Sequence, residues 1–169
     1  FFFGESAVPL LDLSKVTSVG GYVRFQHNTA LVSVDFSSVP STTGLLKIDG
    51  NAVLKTFSLG SLTTVTSYVH ITGNPLLEAV DLNSLTTVSG GYFVVQQNPF
   101  LSSVGAAALG NLAGSLTSNF YFGESAVPLL DLSKVTSVGG YLRFKNNAAL
   151  VSVAMSSLTS TGGNLQIDE

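Results

Sequence analysis

The chain has 169 residues, 45% of them hydrophobic and only 10% charged, with a net charge of −3. That is enough chain for one core-bearing domain. A charged share far below the usual quarter leaves Ser, Thr, Asn and Gly to form the surface. A mildly acidic balance offers no basic stripe for nucleic acid. The absence of cysteine removes disulfides and thiolate metal sites, and no apolar run approaches the length of a membrane span.

The N-terminal FFFGES has no basic segment and no small-residue cleavage site, so it reads as a strand entered midway rather than a secretory leader. The next residues reveal the organisation. Gly4–Tyr22, GESAVPLLDLSKVTSVGGY, returns unchanged as Gly123–Tyr141, an offset of 119 (123 − 4). Within that long repeat a shorter unit opens as YVRFQHN at Tyr22, LLKIDGN at Leu45, YVHITGN at Tyr68, YFVVQQN at Tyr92, NFYFGES at Asn119 and YLRFKNN at Tyr141. Unit lengths of 23, 23, 24, 27 and 22 fill the 119 residues.

Each opening alternates apolar and polar side chains, as in Val23–Arg24–Phe25–Gln26. Period two in β-branched and aromatic residues predicts a half-buried strand. A turn follows with Asn at one fixed place: Asn28, Asn51, Asn74, Asn98 and Asn147, with Ser6 and Ser125 in the other two units. A second short strand comes next, as in Leu10–Leu13, Val34–Phe36 and Val80–Leu82, and the unit closes in a Ser/Thr segment ended by paired glycines. The 27-residue unit holds a helix-tolerant run, Ala106–Leu109, where a bulge is expected.

A unit of this size cannot bury its apolar positions alone, whereas stacked units form one continuous core. The expected fold is therefore all-β: a right-handed parallel β-solenoid of ~23–24-residue coils, with like residues laddered ~4.8 Å apart and a five-coil super-repeat. Residues 1–118 form the first five coils and 119–169 begin the second set, in a single solenoid segment. Val23, Phe25, Ile48, Ile71, Val95, Phe122, Phe144 and Ile167 are expected to point inward, with Leu13, Phe36, Leu82 and Leu132. Both ends fall inside a unit, so the expectation is a piece of a longer array.

The units Ser67–Gly91 and Gly139–Gly163, with the strand–Asn–Pro–x–Leu core clearest at Ile71–Leu77, resemble the receptor L-domain. This is a leucine-rich-repeat-like β-helix, here closest to the fungal and protist cell-surface type. The resemblance implies an extracellular, surface-associated, non-enzymatic protein.

Residue columns define the candidate sites. The Asn column reads as structural, its carboxamides bonding backbone groups left open at the turns. Outward positions of the first strand form a column of Phe2, Arg24, Lys47, His70, Val94, Tyr121, Arg143 and Gln166, beside another of Tyr22, Leu45, Tyr68, Tyr92, Asn119 and Tyr141. Among them Tyr22, Arg24, Lys47, Tyr68, His70, Tyr92, Tyr141 and Arg143 are the candidate contact face, interleaved basic and aromatic side chains that suit a glycan or a protein partner. A merely solvated face is the plainer alternative. The second-strand column Asp12, Asp35, Asp81 and Asp131 lacks the oxygen-rich spacing of a calcium loop. His27 and His70 occupy different unit positions, leaving no two-His metal pair or Ser-His-Asp triad, and no Gly-rich phosphate or nucleophile motif occurs. No enzyme, metal or cofactor is expected. The Thr stripe (Thr17, Thr63, Thr86, Thr136, Thr159) suggests turn chemistry, O-glycosylation or ice binding. The functional expectation is an extracellular structural or adhesive repeat protein, self-associating into a filament, wall or layer. The alternatives are a carbohydrate- or protein-binding module and an ice-binding protein.

Overall fold

The alternating segments pair side by side into one parallel sheet of eight strands, stacked in sequence order: Phe2–Gly4, Val23–Gln26, Leu46–Asp49, Val69–Thr72, Phe93–Gln96, Phe120–Gly123, Leu142–Lys145 and Leu165–Asp168. The computed structural model describes residues 1–105, 114–116 and 119–168. Among them there is no helix, and the strands stack as a β-solenoid with one strand of this main sheet per coil. The expected bulge at Ala106–Leu109 lies outside the described residues.

Register follows from the pleat. A shift of one residue would turn every apolar side chain outward. The observed pairing keeps Phe25, Ile48, Ile71, Val95, Phe122 and Phe144 in one buried column. Val23, Leu46, Val69, Phe93, Phe120 and Leu142 form a second. Phenylalanines lock neighbouring coils: Phe25 meets Phe57 edge-on at 4.8 Å between ring centres, and Phe93 stacks on Phe120 at 5.2 Å.

Two expectations of burial need correction. Ile167 is 65% exposed although it lies in the inward register opposite Phe144, because among the described residues its strand is the last of the stack. Leu13 is only partly buried against the core, for the same reason at the first coil.

Each complete coil also has three sides rather than two strands and a loop. The second side carries Leu10–Asp12, Ser33–Asp35, Thr56–Ser58 and Ala79–Asp81, then Leu129–Asp131 with Ser152–Ala154. The Ser/Thr segments form the third side, pairing Ser41–Thr42, Thr64–Val65 and Thr87–Val88, and further on Gly114–Leu116, Val135–Val138 and Ser160–Thr161. These strands were hidden in the sequence because their inward residues are spaced by three, as in Leu62 and Val65 or Leu85 and Val88, so no period-two signal exists.

The corner between the second and third sides is built by the aspartates. Asp12, Asp35, Asp81 and Asp131 each accept the N–H two residues ahead, at 2.8–3.1 Å, closing an Asx-turn. The chain then turns tightly enough for Leu62 N–H to reach the Leu59 carbonyl and Leu85 N–H that of Leu82. Both apolar residues of such a turn point inward and are buried.

Candidate functional site

The Asn column runs through the first corner of the solenoid. Asn28, Asn51, Asn74 and Asn98 have no exposed surface, and Asn147 is half-buried. The carboxamides bond in one direction: Nδ2 of Asn28 donates to Oδ1 of Asn51 (2.8 Å), Asn51 to Asn74 (2.9 Å), and Asn74 to Asn98 (3.1 Å). Each Nδ2 also reaches back to a strand carbonyl of the preceding coil: Phe3, Phe25, Ile48, Ile71 and, from Asn147, Phe122. Each Oδ1 of Asn51, Asn74 and Asn98 in addition accepts the backbone N–H of the Asn below it. Every polar valence of the buried side chain has a use in the fold, so none is left to face a ligand.

The residue before each Asn or Ser of this column, in every coil from Glu5 to Asn146, has positive φ: Glu5, His27, Gly50, Gly73, Gln97, Glu124 and Asn146 lie between 52° and 64°. This left-handed corner swings the carboxamide inward. Only Gly50 and Gly73 meet it without steric cost.

The basic and aromatic residues lie on the outer face of the main sheet. Arg24, Lys47 and His70 are direct ladder neighbours. Val94, Tyr121, Arg143 and Gln166 continue the same column. All five tyrosines of the chain, Tyr22, Tyr68, Tyr92, Tyr121 and Tyr141, fall on this one face. Tyr68 and Tyr92 stack at 4.8 Å and 20°, and His70 meets Tyr92 edge-on at 6.1 Å. Burial, and then the charge of Lys47, hold the His70 imidazole below its usual pKa against the opposing pull of Asp49. Arg24 lies 5.3 Å over the Tyr22 ring and Arg143 5.7 Å over Tyr121.

Lys47 is less free than the others. Its Nζ sits 3.1 Å from Asp49, whose carboxylate also accepts from Gln26 and Thr72. Burial raises the Asp49 pKa, but the hydrogen bonds from Thr72, Lys47 and Gln26 outweigh it and leave the group below the ordinary carboxylate value.

The structure therefore does not gather the eight residues into one pocket. It strings them along several coils, with a hollow of about 400 Å³ at one place, walled by Tyr92, Val94, Asn119, Tyr121, Tyr141 and Arg143. The hollow exists because the Tyr column is interrupted. Tyr92 and Tyr141 sit two coils apart, and the coil between them offers the shorter Asn119, whose Oδ1 accepts the Tyr141 N–H at 2.8 Å. Tyr121, a member of the outward column, supplies the floor beside Arg143. Its phenol pKa is raised by burial and by Glu124. Tyr121 holds the register position of Arg24 and Arg143 in its own unit, as the alternation predicts.

The Thr stripe behaves differently. The hydroxyls of Thr63, Thr86 and Thr159 donate to carbonyls of the preceding coil at 2.9, 3.1 and 2.9 Å. They tie coils together.

No family model, curated protein or solved structure matches this chain.

Proposed function

We propose that the chain is a non-enzymatic structural and adhesive repeat protein of the cell surface, a rigid solenoid that presents one decorated face for contact. The single observation that supports this reading is the confinement of all five tyrosines to the outer face of the main sheet, three of them at least 36% exposed. Exposed aromatics in register mark contact surfaces more often than solvated ones. Elsewhere on the solenoid the Asn, Asp and Thr columns are engaged in turns and coil-to-coil bonds. With few charges to hold neighbouring solenoids apart, self-association is the first adhesive contact to expect. A receptor-L-domain-like module binding a glycan or protein is the second reading, supported by the same face.

Beads coated with the protein test the proposal. They should aggregate or adhere to extracellular material, and Tyr68→Ala with Tyr92→Ala should abolish adhesion while leaving the thermal melt within a few degrees. Beads that remain dispersed and bind neither themselves nor any surface polymer would end this reading.

A further inference from the structure

The charge of the molecule is unevenly placed. The eight strands of the main sheet contain Arg24, Lys47, Arg143 and Lys145 against Asp49 and Asp168, a balance of +2, so the rest of the chain carries −5 to reach the total of −3. The positive residues share their face with every tyrosine. A neutral stacking surface has no need of this segregation, and a polyanion is attracted to this face while the remainder repels it.

The two arginines add a chemical detail. Among the described residues, Nε of Arg24 and Nε of Arg143 are both buried without a hydrogen-bond partner, at equivalent positions 119 residues apart. The Arg143 guanidinium lies 3.4 Å from Asp168, in a pair that is 36% exposed on both sides and therefore weak. Each buried Nε is beyond the reach of a ligand, so an anion meets the accessible end of the guanidinium, where two parallel N–H donors can hold a carboxylate or sulfate; the Arg143 side chain is 36% exposed. The aromatic ring beside each guanidinium then receives the apolar face of whatever carries the anion.

From these features we infer that the outer face of the main sheet binds an acidic glycan, seated in the hollow between Tyr92 and Tyr141 and continuing along the solenoid axis. This rests on the adhesive reading above and names its ligand. A pyranose has an apolar ring face that packs on tyrosine and hydroxyls that reach Asn119 and Gln166, both of which line the hollow. Its anionic substituent meets Arg143. A second guanidinium–aromatic pair, Arg24 over Tyr22, lies one super-repeat away, roughly 24 Å along the axis at ~4.8 Å per coil, with Phe2 where the hollow has Tyr121. A polymer long enough to span both sites gains avidity from the duplication.

Polygalacturonate, dextran sulfate, neutral dextran and a poly-dT oligonucleotide are compared as immobilised ligands for the whole chain. Binding of one or both acidic glycans, at least tenfold tighter than neutral dextran and poly-dT and weakened by salt, is the expected result. The glycan that binds better tells whether carboxylate or sulfate is the preferred anion. Arg24→Gln/Arg143→Gln and Tyr92→Ala/Tyr141→Ala should each lose at least tenfold, whereas Lys55→Gln, on another side of the coil, should lose less than twofold. Equal binding of neutral dextran, equal binding of poly-dT, or an unchanged Arg double variant overturns the inference. Bead adhesion that persists without any acidic-glycan binding overturns it too, and leaves the adhesive function standing.

Discussion

One carboxamide, that of Asn74, joins three coils. Its Oδ1 accepts from the backbone and side chain of Asn51, and its Nδ2 donates to Ile48, Thr72 and Asn98. Asn74→Ala should cost about 1–3 kcal/mol for each buried group left without a partner, measured by urea denaturation. Asn74→Asp is the sharper probe. It keeps the acceptor but turns the donor into a second oxygen facing three others, so at neutral pH it should destabilise more than the alanine and recover in part as the carboxyl protonates. His70 adds a pH signature. Its folded pKa lies below the ordinary 6.5, so between those values the unfolded chain binds more protons and stability falls as pH falls through that window. The melting temperature should drop across it in the wild type, and this component should be absent in His70→Gln.

At the scale of the element, each corner is built by a different side-chain device. The Asp corner has a pH dependence of its own. Hydrogen bonds from the Ser14 hydroxyl and N–H lower the Asp12 pKa, and Ser133 does the same for Asp131. Their contribution is complete above 3.8 and is lost as pH falls through the lower folded value. Acid unfolding of Asp131→Ala should lack part of the wild-type dependence below pH 3.8. In the Asn corner the ladder is interrupted at Ser125, whose hydroxyl donates to Asn147 Oδ1 at 3.0 Å. The backbone there matches the other corners, since Glu124 has φ 53° as His27 has 52°. Ser125→Asn should therefore restore the ladder and raise stability by about 1 kcal/mol, and an unchanged or lowered denaturation midpoint would count against the ladder as the unit of corner stability. In the main strands the buried column dominates. Ile71→Ala should cost about 2–5 kcal/mol as a large-to-small core change.

Over the whole molecule, coils touch their neighbours and little else, so damage should stay local. Hydrogen exchange of Ile71→Ala should show lost protection in the strands Leu46–Asp49 to Phe93–Gln96, with Leu142–Lys145 nearly unchanged. Uniform loss across all eight strands would mean that the solenoid opens as one unit.

The repeat period, the main strands, their inward columns and the place of the Asn corner could all be read from the chain. Each depends on like residues recurring at a fixed spacing, which stacking converts directly into ladders. The third side of the coil could not, because Leu62 and Val65 turn inward through corner geometry rather than alternation. The binding face was visible only as two columns of residue types. That Asn119 opens a hollow between Tyr92 and Tyr141, that Tyr68 stacks on Tyr92, and that both arginines hold a buried Nε without an acceptor among the described residues are decided by tertiary structure. These features depend on side chains from coils that are neighbours in space but 22–27 residues apart in sequence, and in the hollow on Tyr92 and Tyr141, 49 residues (141 − 92) and two coils apart.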